Sequence, residues 1–251
     1  MSFGLNLFAD EVSSNERYMT SREVRSSGRA VRPRDSASLI MVRTDGIEAR
    51  LLMGKRSLKH KFMPNKFVFP GGVVDRTDSR VRTNNELQPE VLQRLRRGCS
   101  ESRARALAVA AVRETFEETG LVIGDRESTV IPSSSPLWCR FRQLGGSPRL
   151  DRLQYIARAI TPPYRNRRYD ARFFMVFLRP ADIQVDFVQR QTDELSHIRW
   201  VTLTESRALN LPHITRIILD EVESRIFNMT GYGTEGPFIY FRHGKLIKDQ
   251  H

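Results

Sequence analysis

Apolar and polar positions alternate along the chain in two distinct rhythms, and the switches between them predict the elements. Ala37–Arg43 (ASLIMVR) and Ala49–Lys55 read as strands on either side of an Asp45-Gly46 turn signal. Phe67-Val68-Phe69 reads as a short strand that Pro70-Gly71-Gly72 stops. A short helix is expected at Pro89–Arg96. The strongest helix runs from about Arg103 to Thr119: Leu107, Val109, Val112 and Phe116 recur near 3.6 residues, five alanines favour helix, and Gly120 supplies a C-terminal cap. Leu121–Ile123, Tyr155–Ile160, Arg172–Leu178 and His197–Val201 read as strands, with a loop-rich stretch at 124–148. Helices are expected at Thr204–Leu209 and Ile214–Phe227. Strands and helices alternate irregularly and nothing repeats, so the predicted class is α/β with a mixed sheet.

Composition narrows this picture. At 251 residues, 39% hydrophobic and 28% charged, the chain can bury a core and is neither disordered nor fibrous. Residues 1–36 are polar and aperiodic and are expected to form a flexible tail. No apolar run reaches the ~20 residues that cross a bilayer. No basic stretch followed by an apolar core opens the chain, so neither a secretory signal nor a membrane partner is expected. Two cysteines, Cys99 and Cys139, exclude a disulfide scaffold and a cysteine-built zinc site, and suggest a reducing, cytoplasmic setting.

The net charge of +12 invites a nucleic-acid partner, but its distribution argues otherwise. Residues 37–74 carry +5 and residues 140–172 carry +7, while residues 107–139 between them carry −3. The acidic stretch contains Arg113-Glu114-Thr115-Phe116-Glu117-Glu118-Thr119-Gly120-Leu121. On a helix Glu114, Glu117 and Glu118 share one face, where three carboxylates repel unless a cation offsets them. Oxygen ligands without His or Cys suit Mg²⁺ or Mn²⁺. The bland alternative is a solvated acidic face. The five histidines are scattered without ligand spacing, and Trp138 and Trp200 suit core or pocket walls.

The segment 113–121 resembles the second half of the Nudix hydrolase box, and Phe69-Pro70-Gly71-Gly72 resembles its lead-in. The expected spacing then fails. Asp78 stands where the family has its first Glu, and 34 residues separate Asp78 from Arg113 instead of seven. The box is therefore split by an insertion spanning about residues 79–106, a candidate lid or wall. This split, with Arg168-Tyr169-Asp170-Ala171-Arg172-Phe173-Phe174 further on, is similar to the peroxisomal acyl-coenzyme A diphosphatase branch. Arg56, Lys61 and Asn65 keep the spacing of a coenzyme A signature, although Lys61 replaces an Arg and Asn65 a Gly.

The resemblance implies a Nudix α/β/α sandwich over residues 37–232 with extra C-terminal helices and an extension at 233–251. It implies metal-dependent hydrolysis of a diphosphate bond in a nucleoside diphosphate linked to another moiety, coenzyme A or acyl-coenzyme A being the first candidate. By position, Glu114, Glu117 and Glu118 match metal ligands. Glu114 also matches a catalytic residue, Arg113 the arginine that orients the glutamates, and Glu194 a base from a late loop. Asp78 or Glu101 replaces the first box glutamate. Gly71, Gly72, Arg56, Lys61, Arg168 and Arg172 are the expected substrate contacts, with Arg165 and Arg167 in the same basic run. The alternatives are a catalytically weak ligand sensor and a hydrolase of capped or 5′-phosphorylated RNA.

Overall fold

A computed structural model of the chain describes residue 28 and residues 30–58, 62–125, 134–178, 182 and 195–251. Nine strands form one mixed sheet: β1 (Arg34–Arg43), β2 (Arg50–Arg56), β3 (Phe67–Val68), β4 (Gly71–Val73), β7 (Gln154–Ile160), β8 (Tyr169–Leu178), β9 (Leu195–Thr202), β10 (Pro237–Arg242) and β11 (Lys245–Gln250). Two-residue strands β5 (Gly124–Asp125) and β6 (Ser147–Pro148) pair separately. The order is β11-β10-β7-β8-β1-β2-β3, with β4 added to β1 and β9 to β2. The β1/β8 and β10/β7 pairs are parallel and the rest antiparallel.

Period-two alternation decides what each face buries. Ala37, Leu39 and Met41 of β1 join Phe174 and Val176 of β8 in one core, covered by α1 (Pro89–Arg96), α2 (Glu101–Thr119) and α3 (Pro136–Gly145). Ile40 and Val42 join Phe173 and Met175 in a second core, covered by α4 (Leu203–Ala208) and α5 (His213–Asn228). The result is the expected α/β/α sandwich. Among the described residues, no helix is long and apolar enough to cross a membrane.

Several elements differ from expectation. The sheet takes in Arg34–Ser36, which the sequence assigns to the tail. The glycines after Phe69 do not simply stop a strand, because Gly71–Val73 re-enters the sheet against Ser36–Ser38. Leu121–Ile123 is buried but forms no strand. The stretch at 124–148 contains α3, started by Pro136 at its first turn and buried through Trp138 and Phe141. Phe141 meets Phe116 edge-on at 5.2 Å. Residues 233–251 hold not an appended tail but the hairpin β10–β11, turned at His243 and Gly244, both at positive φ.

The insertion packs as scaffold. Val91 and Leu95 of α1 enter the first core, and buried Arg94 donates to the carbonyls of Tyr155 (2.6 Å) and His251 (2.9 Å). Burial, reinforced by Arg225, pushes the Arg94 pKa down to about 10.

Arg172, expected to contact substrate, is 2% exposed on this same helical face. It pairs with Asp170 at 2.7 Å and Asp35 at 3.3 Å, while Arg158 grips Asp170 through two hydrogen bonds of 2.9 and 2.8 Å. Burial pushes the Asp170 carboxyl up, but Arg158 and Arg172 outweigh it and hold the pKa below the ordinary aspartate value. With the folded pKa below the unfolded one, this stabilisation is complete above the unfolded value and disappears as pH falls through the folded one. Asp170→Asn is expected to cost about 3–5 kcal/mol at neutral pH. The gap to the parent, read by urea denaturation, should narrow progressively below pH ~4; a gap independent of pH would show that charge is not the cause.

Candidate active site

β1 is where the sheet forks. Its last residues pair with β2 (Val42↔Leu51), while its first pair with β4 (Ser38↔Gly71, Ala37↔Gly72, Ser36↔Val73). The Leu39 amide donates to Pro70 O at 3.0 Å between the two branches. Across this fork lies the C-terminal half of α2. Ser100 caps the start of that helix, accepting from the Arg103 amide at 3.3 Å, and Gly120 ends it at φ 77°.

One arginine organises the fork. Arg113 donates from Nε to Asp78 Oδ1 at 2.8 Å and from Nη2 to Asp78 Oδ2 at 3.0 Å, a bidentate pair with a fully buried carboxylate. Its Nη2 also reaches Val73 O at 2.9 Å, and its Nη1 reaches Glu114 Oε1 at 2.8 Å and Glu117 Oε1 at 3.3 Å. Burial opposes the guanidinium charge, but Asp78, Glu114 and Glu117 overcome this and push the Arg113 pKa up. The Gly71 amide donates to Glu118 Oε2 at 2.9 Å. A Cβ at Gly71 would fall on Ala37 O and Ser38, and one at Gly72 on the Glu114 carboxylate. Gly71 therefore requires glycine, because strand backbone leaves no room for a side chain, whereas at Gly72 a side chain would have to push the Glu114 carboxylate aside.

Glu114 and Glu118 are buried and Glu117 is the exposed member. All three line one cavity of about 600 Å³, together with Gly71, Gly72, Arg56 and Arg165. The cavity lies on the α5 face of the sheet, so the carboxylates of α2 reach it around the fork. Arg56 donates to Phe62 O at 3.0 Å with its guanidinium over the Phe62 ring, and Phe62 meets Tyr169 edge-on at 4.9 Å. Asn65, where the coenzyme A signature expects Gly, sits at φ 61°, a conformation open to Gly and tolerated by Asn.

The three carboxylates offer hard oxygen donors of the kind that suit a divalent cation. Glu114 and Glu117 share Arg113, and Glu118 is held by the Gly71 amide. In these positions, no trio of acidic, histidine or cysteine side chains among the described residues is gathered as a metal cage.

The remaining sequence expectations divide clearly. Asp78 stands in for the first box glutamate as the anchor of Arg113. Glu101 does not, since it is exposed at the far end of α2 and pairs with Arg96 at 3.4 Å. Arg168 does not line the cavity: it donates to Thr161 O and Val31 O, both at 2.9 Å, and fastens the start of β1. Arg172 is removed by strand alternation, because its neighbours Ala171 and Phe173 face the cavity and it faces the other side. Of the basic run at 165–172, Arg165 lines the cavity. No residue of the insertion lines it, so the expectation of a lid is not met. Lys61 and Glu194 lie outside the described residues. Sequence reasoning missed Lys66, Tyr164, Tyr169 and His213, which line the cavity from three separate loops and strand ends. Of these, only Tyr169 stood in a segment the sequence singles out, the Arg168–Phe174 block.

Two outcomes test this geometry. Asp78→Asn removes the fully buried, bidentate one of the three carboxylates that Arg113 engages and should cost about 3–5 kcal/mol, with or without divalent metal, by denaturant titration. A loss below ~1 kcal/mol would place the anchor elsewhere. Gly72→Ala should displace Glu114, whose side chain can move, and so lose roughly 100-fold in kcat while lowering stability by at most about 1–3 kcal/mol.

Comparison with known proteins identifies the family. The NUDIX domain family description matches residues 32–222. A Caenorhabditis elegans protein named putative nudix hydrolase 7 is 32% identical over 164 residues, which cover 61% of this chain and 46% of that protein. The match thus spans about half of the relative's length. A crystal structure of a NUDIX hydrolase from Alicyclobacillus acidocaldarius superposes with a TM-score of 0.59 at 24% identity, covering 81% of this chain and 99% of that one, a likeness of fold. With most of its length matched and the fork, glycines and glutamate helix in place, the chain belongs to the Nudix family.

Proposed function

We propose that this protein is a Mg²⁺- or Mn²⁺-dependent diphosphatase that hydrolyses a nucleoside diphosphate linked to another moiety, with coenzyme A or acyl-coenzyme A the first substrates to test. The observation that carries this reading is the convergence of Glu114, Glu117 and Glu118 on one cavity with Gly71-Gly72 and the cations Arg56 and Arg165. The split box and the Arg56–Asn65 spacing favour the coenzyme A branch within the family, and the left-handed Asn65 is compatible with that signature.

Each residue then has a physical task. Glu117 and Glu118, with Glu114 beside them, would hold the cations. Once bound, these ions would supply the positive charge that polarises a phosphoryl oxygen and favours a nucleophilic water. Arg113 holds Glu114 and Glu117, and the Gly71 amide holds Glu118, so that the three carboxylates stay together at the cavity and would draw in around a cation as it binds. The Gly71-Gly72 backbone lets the diphosphate approach the helix without a side chain between them. Arg56 and Arg165 offer planar donors that suit phosphate oxygens. The attacking water passes its proton to Glu114 or to Glu194, and the pH–rate profiles of Glu114→Gln and Glu194→Gln would assign it.

Glu117→Gln is the decisive variant, because Glu117 is exposed and contributes little to the fold. Its kcat should drop ~10²–10³-fold while its circular dichroism and unfolding midpoint stay at parental values. Turnover at the parental rate would reject the metal-ligand role. The assay supplies Mg²⁺ or Mn²⁺ with coenzyme A, acyl-coenzyme A, NADH, ADP-ribose, dinucleoside polyphosphates and capped RNA. Release of 3′,5′-ADP identifies coenzyme A cleavage. Failure to turn over any of them would favour a ligand sensor.

A further inference from the structure

We propose that the C-terminal hairpin β10–β11 forms part of the substrate cavity and seats an aliphatic group carried on the far side of the diphosphate. This rests on the diphosphatase reading but adds residues that the family match, ending at residue 222, does not contain.

The seat follows from strand register. Ile239 of β10 lies beside Ala159 of β7, Ala159 opposite Ala171 of β8, and Ala171 beside Ser36 of β1, which pairs with Val73 of β4. A lane of small side chains therefore crosses the sheet from the hairpin to the glutamate fork, and all five residues line the cavity. Small residues in the floor are what leave the space open beneath α5, whose Ile214 and Ile217 form part of the opposite wall. The lane ends at Ile239, 3% exposed, beside Phe241 and Leu246 of the hairpin. Tyr164 of the β7–β8 connection meets Phe241 edge-on at 6.0 Å and closes the rim.

Distance and chemistry select the occupant. Four strand steps separate β4 from β10, about 19 Å at roughly 4.8 Å per step. That exceeds the length of a diphosphate, so what reaches the hairpin is one of the two groups flanking it, and the chemistry of the lane favours the linked moiety. Ala159, Ala171, Ile217, Ile239 and Leu246 carry no polar side-chain atom that could read a nucleobase edge. Burying an alkyl chain against them is favourable in proportion to the area covered.

The test uses two probes, the P²-octyl and P²-methyl esters of ADP, with the full chain and Mg²⁺. Calorimetric binding uses the Glu117→Gln background to suppress hydrolysis, and turnover uses the parent. The octyl ester should bind at least about tenfold more tightly than the methyl ester. Ala171→Leu, which fills the lane, and Phe241→Ala, which opens the seat, should each bring that ratio, taken against the variant's own methyl-ester affinity, towards one. A ratio near one in the unfilled background, or a ratio that neither variant alters, would overturn the proposal. Chain-dependent binding with no turnover by the parent would instead sink the diphosphatase reading, and turnover without chain preference would sink the hairpin seat alone. An unchanged unfolding midpoint in Phe241→Ala shows that any effect is not loss of fold.

Discussion

The arrangement of the site depends on the buried pair between Arg113 and Asp78. A single guanidinium ties the loop after the glycines, through Asp78 and Val73 O, to two of the three glutamates on α2. Three carboxylates on one helix face repel one another, and a buried arginine without a counter-ion would be costlier still. Each problem offsets the other here. Both Asp78 oxygens are engaged by Arg113, so Asp78 anchors the arginine, and the distance of 35 residues along the chain becomes immaterial once the fork brings the two ends together.

The 27 extra residues implied by the spacing are accommodated on the side of the sheet away from the cavity. α1 packs on α2, and Arg94 carries its charge to carbonyls of β7 and of His251, next to the hairpin. Gly98 lies where a Cβ would meet Arg158, so the insertion also closes over the Asp170 ion-pair cluster. The insertion is thus coupled to the C-terminal strands through scaffold contacts. The cavity is lined instead by strands of the sheet, the glutamates of α2 and the start of α5.

What could be read in the sequence was whatever periodicity alone determines. α2 was legible because apolar spacing, alanines and Gly120 all agree, and its carboxylate face follows from helical geometry. The carboxylate face and the fold class follow from that pattern, whereas the Gly71-Gly72 loop and the roles of the glutamates came from the Nudix resemblance. Arg168 and Arg172 misled because charge density says nothing about direction: one strand step decides that Ala171 faces the cavity and Arg172 the opposite core. The hairpin escaped because β11 (KLIKDQ) is mostly exposed and polar, so its alternation is weak, and parallel pairing with β7 is a tertiary event. α3 escaped because Pro and Gly flank it, although in hindsight Pro136 and Gly146 mark its two ends.

The strong positive charge also acquires a different meaning in the fold. In the +7 stretch, Arg149 pairs with Asp151, Arg152 with Asp182 and Arg158 and Arg172 with Asp170, while Arg142 and Arg168 donate to backbone carbonyls. These arginines are used as forked donors inside the structure, which their geometry suits better than lysine. The cations that line the cavity are Arg56, Lys66 and Arg165. If these hold the diphosphate as proposed, what distinguishes one linked moiety from another would be the uncharged part of the cavity, built from the alanine lane and the C-terminal hairpin.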